Sequence, residues 1–352
     1  MQAILRLAPV LLDALPADGP EATKAVAEVS MALDFLAQVH GPQPGLSALA
    51  GQLMHWLGND THLALSGHPF LVGRALTPYV FLRALAPKHP AWERLLFDWC
   101  DHGIKLCEAT PYRRLEQDYL RAKVRGASWP DWEGAAILQD ALQAWAFNRD
   151  LSYAFTHLVF FCTDFAAVKR PDPFVKGIGM MLLGEALGRT DVDLVWELAL
   201  CLLTQDLEAA ELDEVISAAV EMRKELHDLC DPAEITKGYH PVLVHEILAA
   251  RLHQHHGRDL YREAAGTRPR LAAIEAFRCA LTGKDANAMV AAERALPAED
   301  WSRRMLCQRL HELKRRARDR TLFLRETGGA DHDAPLYGEY ADQIDALLHA
   351  TA

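Results

Sequence analysis

The sequence predicts an all-α protein, built of helical hairpins packed as an α/α toroid or an α-solenoid. Three observations carry this. Apolar residues recur at spacings of three and four along nearly all 352 residues, no strand-like alternation bounded by hairpin turns interrupts them, and short Gly- and Pro-containing loops separate the periodic runs. No fixed repeat period is visible, so the common consensus repeats receive no support.

Taken in order, the elements are justified as follows. The span 2–14 lies in "MQAILRLAPVLLDALPADG", where Arg6 and Asp13 interrupt the apolar run and no small-residue cleavage pattern follows. It reads as an amphipathic helix and not as a signal peptide. Helices over 21–38 and 46–57 are separated by "HGPQPG" at 40 to 45, and "SGHP" at 66 to 69 precedes the next, at 72–85. Those at 90–108 and 112–124 follow. The latter lies within "TPYRRLEQDY", where Arg113 and Arg114 stand beside Glu116 and Asp118 as a surface ion-pair cluster or a clamp for a carboxylate or phosphate. Asp131 caps 132–147. "RPDP" at 170 to 173 follows 151–167 and leads into 173–187, and Asp191 caps 192–204. After 211–228, the break "DPAEITKGYHP" precedes 241–256. The spans 270–282, 285–295, 299–319 and 335–349 complete the chain and are more charged. This composition suggests an α/α-toroid-like domain over 1–257 and a C-terminal helical extension or subdomain over 258–352. The helices 151–167 and 192–204 are apolar around their circumference and should lie inside.

Composition bounds the function. Half of the residues are hydrophobic and 24% are charged, which excludes wholesale disorder. A net charge of -11 argues against a nucleic-acid partner. The basic run "HELKRRARDR" at 311 to 320 has acidic neighbours and reads as a solvated helix face. The seven cysteines (Cys100, Cys107, Cys162, Cys201, Cys230, Cys279 and Cys307) are odd in number and form no CxxC pair, so a reducing cytoplasm is expected. No run reaches the roughly 18 apolar residues of a membrane span. No GxGxxG, P-loop, GxSxG or HExxH pattern occurs, which disfavours dinucleotide enzymes, NTPases, α/β hydrolases and zincins.

Three stretches carry the candidate chemistry. In "LSYAFTHLVFFCTDF", 151 to 165, His157 and Asp164 project from nearly one helix face, about 10.5 Å apart along the axis. Tyr153 and His157 can touch. A buried carboxylate needs a donor, a cation or water, so the pair is either a structural network with Thr156 or a functional pair facing a cavity. In "KGYHPVLVHEILAA", 237 to 250, Gly238 and Pro241 should break the chain and leave His240 at or beside an N-cap, with His245 pointing elsewhere. Upstream, His227, Cys230 and Asp231 have metal-capable spacing, although a histidine at a helix end beside an apolar cysteine explains them better. In "TDVDLVWELALCLL", 190 to 203, Asp193 and Glu197 sit one turn apart. With His157 and His240 they would form a His/His/carboxylate site that zinc or iron would accept. "HQHHG" at 253 to 257 is expected to be exposed.

The phrases "THLVFFCTDF", "DVDLVWEL" and "GYHPVLVHEILAA" resemble those of a group of uncharacterised helical bacterial proteins with a TH-xx-F-xx-TDF segment, an acidic D-x-DL-xx-E helix and a YH-initiated helix. The resemblance covers about 155 to 250 and implies no particular activity. The YH phrase is also similar to one in α/α-toroid enzymes such as protein prenyltransferase β subunits, where it supplies a zinc ligand. That likeness implies His240 as a ligand, but Pro241 replaces the threonine of that phrase, and the D-x-C pair of those enzymes is absent.

The expected function is therefore an enzyme of a biosynthetic pathway, acting on a small molecule or peptide. His157, Asp164 and His240 would serve as catalytic groups, and His157, Asp193, Glu197 and His240 would hold a metal. The alternative is a non-catalytic helical scaffold for a protein or peptide partner. Neither nucleic acid nor membrane is expected as a partner.

Overall fold

The computed structural model describes residues 2–14, 20–57, 72–102, 111–131, 149–225, 235–283, 285–298, 300–326 and 342, and every regular element among them is helical. The expected helix 132–147, the expected helix 335–349 apart from residue 342, and the loop at 66 to 69 lie outside the described residues. The helices are α1 (Gln2–Ala14), α2 (Pro20–His40), α3 (Pro44–Leu57), α4 (Val72–Leu82), α5 (Pro90–His102), α6 (Pro111–Arg125), α7 (Arg149–Thr163), α8 (Pro173–Leu187), α9 (Val192–Leu202), α10 (Ala209–Met222), α11 (Ile235–His256), α12 (Pro269–Gly283), α13 (Ala286–Arg294) and α14 (Trp301–Glu326).

Local signals account for several starts. Asp172 precedes Pro173, the first residue of α8, and its carboxylate accepts the backbone N–H groups of Phe174 (2.8 Å) and Val175 (3.2 Å). Asp191 caps α9 through Leu194 N–H, and Asp285 caps α13 through Ala288 N–H.

Two expected boundaries need correction. The break at Gly238–Pro241 does not start a helix at 241, because α11 runs unbroken from Ile235 through Pro241. Pro241 removes one backbone hydrogen bond near the helix start, and burial of α11 against α1, α2 and α9 outweighs that loss. Pro9 and Pro78 lie inside α1 and α4 in the same way. Helix α7 stops at Thr163 and not at 167, because Asp164, Phe165 and Ala166 all adopt left-handed φ (49°, 52° and 60°). Such a conformation costs a non-glycine residue roughly 1–2 kcal/mol. It is held by Thr163 Oγ1, which accepts from Ala166 N–H (3.2 Å), and by Arg251, whose Nε donates to Phe165 O (3.1 Å). His255 Nε2 lies 2.6 Å from Ala166 O.

Six helices form a closed cycle of contacts: α2 packs on α4, α4 on α6, α6 on α7, α7 on α9, α9 on α11, and α11 back on α2. Helices α1 and α3 pack on α2, α5 on α4, and α8 and α10 on α9, while α12 and α14 lie against α8. Gly179 and Gly184 permit the approach on both sides of α8, since a Cβ at these positions would meet Leu202 of α9 at 2.9 Å and Ile274 of α12 at 2.7 Å. One apolar cluster runs from Ile4 to Leu310. In α9 every residue from Leu194 to Leu202 is buried, and Trp196 Nε1 donates to Ala219 O (3.0 Å), so this helix has no wet face to satisfy. Each fully buried leucine contributes about 1.5–3 kcal/mol.

Candidate metal centre

Asp193 lies in the first turn of α9, with Glu197 one turn further along the same face. Helix α11 delivers His240 opposite them. The ligand atoms of Asp193, Glu197 and His240 all lie within 4.8 Å of one another, and His240 Nε2 stands 3.2 Å from Glu197 Oε1 and 3.4 Å from Asp193 Oδ1. A further group orients each of the three. Tyr153 O–H donates to Asp193 Oδ2 (2.6 Å), Thr156 O–H donates to Glu197 Oε2 (2.5 Å), and His240 Nδ1 faces Glu28 Oε2 at 3.0 Å. Arg149 Nη2 in turn donates to the Tyr153 hydroxyl (2.9 Å), and its Nε donates to Asp191 (2.8 Å). One oxygen from each carboxylate and His240 Nε2 thus cluster together, with Nε2 within hydrogen-bond distance of Glu197 Oε1. Asp193 Oδ1 is buried and accepts no hydrogen bond from the described residues.

Three carboxylates (Glu28, Asp193 and Glu197) surround one imidazole, and Lys24 pairs with Glu28 from the solvent side at 3.7 Å. Burial, reinforced by Glu197, pushes the Asp193 carboxyl up to about 6, against the opposing pull of His240 and Tyr153. Burial would lower His240, but Glu28 and Asp193 reverse that and raise it well above the usual imidazole range. Burial likewise acts to raise Glu28, yet His240, Lys24 and the Tyr239 hydroxyl leave it lowered.

The other sequence-predicted residues fall elsewhere. His157 is not one of the three converging ligands. Its Nδ1–H faces Tyr153 O at 2.7 Å, and its ring stands among Tyr153, Phe160 and Phe161. Asp164 belongs to a second cluster at the far end of α7. There it accepts from the Tyr119 hydroxyl (2.6 Å), Lys123 Nζ (3.1 Å) and Gln38 Nε2 (3.4 Å). Asp34 binds the same lysine at 2.9 Å, and Arg251 donates to Gln38 (2.7 Å). Phe81 and Phe35 face the Lys123 ammonium at 5.2 and 5.4 Å. His245 is fully buried between Trp196 and Tyr261, and neither ring nitrogen has a hydrogen-bond partner among the described residues. In the "HQHHG" segment His253 is exposed, but His255 and His256 are half-buried. His227, Cys230 and Asp231, and the side chains of Arg113 and Arg114, lie outside the described residues.

Sequence reasoning missed Glu28. It lies in "EATKAVAE" of α2, four residues after Lys24, and looks like half of an exposed i,i+4 ion pair. Only the packing of α2 on α11 brings it to His240.

Residues 11–228 match a family described as a domain of unknown function (DUF6895). Asp193, Glu197, Tyr153, Thr156 and Glu28 fall inside the matched stretch, and His240 lies beyond it. No curated protein and no solved structure matches the chain.

Proposed function

The chain belongs to the DUF6895 family, and for this member we propose a metal-dependent enzyme in which Asp193, Glu197 and His240 hold a divalent cation that acts on a small molecule or peptide. One observation carries the reading: three ligand-type side chains from two helices converge within 4.8 Å while a separate partner engages the remaining polar atom of each. Two carboxylates and an imidazole suit zinc or ferrous iron, and the cation would supply Lewis acidity to a bound carbonyl or phosphoryl oxygen. The protein's own part is to fix the ligands, with Tyr153 and Thr156 holding the carboxylates and Glu28 holding the imidazole. The six-helix cycle supports the companion reading of an α/α toroid, with the site at one end of its inner ring.

A second reading is a non-catalytic helical scaffold for a protein or peptide partner. It is favoured by the position of His240 within 3.4 Å of an oxygen of each carboxylate, where a protonated ring would serve in place of a cation. Metal analysis of the purified protein separates the two. Stoichiometric zinc or iron that is lost in His240→Ala and Asp193→Ala supports the enzyme, while a metal-free protein that takes up neither ion supports the scaffold.

A further inference from the structure

The imidazole of His240 has two nitrogens, and only one of them can serve a cation that sits between Asp193 and Glu197. Nε2 is the nitrogen on that side, 3.4 and 3.2 Å from their oxygens, and Nδ1 points away from it. Nε2 offers a lone pair only if the ring proton resides on Nδ1, and in water the two tautomers interchange freely. Whatever stands at Nδ1 therefore decides whether His240 is a ligand.

What stands there is a carboxylate. Glu28 Oε2 lies 3.0 Å from Nδ1, and its side chain is only 18% exposed. Glu28 does not swing freely. Tyr239, the residue preceding His240, hydrogen-bonds the same carboxylate, and Lys24 lies 3.7 Å from Oε1 on the solvent side. A residue in α2 is thus held against the back of a ligand from α11, across 212 positions of sequence. A backbone carbonyl would select the same tautomer, but a full negative charge also makes the opposite nitrogen a better electron donor.

We propose that Glu28 is the positioning residue of this centre: its carboxylate accepts a hydrogen bond from Nδ1–H of His240, keeps the ring proton on that nitrogen, and so presents the Nε2 lone pair to a divalent cation shared with Asp193 and Glu197. The inference rests on the metal-site reading above and adds to it a fourth residue, which touches no metal and no substrate.

The test uses the full-length chain, stripped with a chelator and titrated with Zn2+ and Co2+. Glu28→Gln keeps the shape and a hydrogen-bond acceptor but removes the charge, and it should weaken the affinity for both ions by about 10- to 100-fold. Glu28→Asp should recover part of that loss, and the visible absorption of the Co2+ complex should shift in Glu28→Gln and return toward wild type in Glu28→Asp. Wild-type affinity and spectrum in Glu28→Gln overturn the inference. So does a loss that Glu28→Asp shares in full with an unchanged Co2+ spectrum, since that marks a merely structural part. Nitrogen NMR of the Zn2+-loaded wild type needs no variant, and a His240 ring found protonated at Nε2 also overturns it. If the wild-type chain takes up neither ion, the metal-site reading itself fails, which none of the other outcomes implies.

Discussion

Two clusters link the same three helices and differ in charge. At one end, α2, α7 and α11 contribute Glu28, Tyr153 with Thr156, and His240. At the other stand Asp34 with Gln38 of α2, Asp164 just past the end of α7, and Arg251 of α11. The second cluster sets two carboxylates against Lys123 and Arg251, and every carboxylate in it has donors. It is a strut. The first sets three carboxylates against one imidazole and leaves Asp193 Oδ1 without a hydrogen bond. Burying an uncompensated charge is costly, and the proposed cation would offset that cost at the first cluster, whereas the second needs none.

The contrast is broken most severely at the strut. Lys123→Ala would leave Asp34 and Asp164 buried without their ammonium, and a loss of about 3–5 kcal/mol is expected in urea unfolding. A loss under about 1 kcal/mol would mean that the strut is not one.

The opposite sign is expected at the candidate centre. Asp193→Asn can still accept the Tyr153 hydroxyl and removes a carboxylate that burial pushes from 3.8 up to about 6. The metal-free protein should therefore gain about 1–3 kcal/mol at pH 8. The variant should also lose the stabilisation that zinc gives the wild type, about 2.7 kcal/mol at a hundred-fold excess over Kd. Destabilisation of the metal-free form by Asp193→Asn would remove the distinction between the two clusters.

Titration sharpens the comparison further. The raised carboxyl of Asp193 makes the metal-free fold lose stability as pH rises from about 4 to about 6. His245 acts in the opposite direction. Burial first, then Arg223, lowers it from 6.5 to about 4, so the stability associated with its neutral ring is present above 6.5 and is lost as pH falls toward 4. In the wild type these slopes partly cancel. His245→Leu should remove about 3 kcal/mol of acid sensitivity and expose the opposite slope of the raised carboxyls, Asp193 and Glu246, the latter pushed up by burial to about 7, read as unfolding free energy at a series of pH values. An unchanged acid limb would count against the neutral, unpaired state of His245.

The smallest effect belongs to Arg149, whose side chain is 58% exposed in its pair with Asp191. Arg149→Ala should change thermal stability by no more than about 0.5 kcal/mol.

The helices themselves were legible. Asp191 before "VDLVWEL" behaves as the cap its position suggests, and the unbroken apolarity of 194–202 corresponds to complete burial. Asp193 and Glu197 stood out because carboxylates one turn apart on such a helix need a reason. Glu28 gave no signal, since an i,i+4 partner for Lys24 looks the same whether it faces water or another helix. Asp164 was legible as a carboxylate in need of partners, but Tyr119 and Lys123 lie 45 and 41 positions away on α6, and no local pattern encodes that pairing. Pro241 misled because local propensity favours a helix start there, while packing carries α11 straight through.

Helix α11 carries His240 into one cluster and Arg251 into the other, and α2 and α7 are tied at the same two levels. The three rods form a truss about 16 Å deep, the rise of eleven helical residues. Ligands mounted on such a frame do not need a cation to assemble them, in contrast to small zinc domains that fold only around their metal. If the centre holds a cation as proposed, a chelator should strip it and leave the helical circular dichroism intact, so that the ion would load and unload on a finished scaffold.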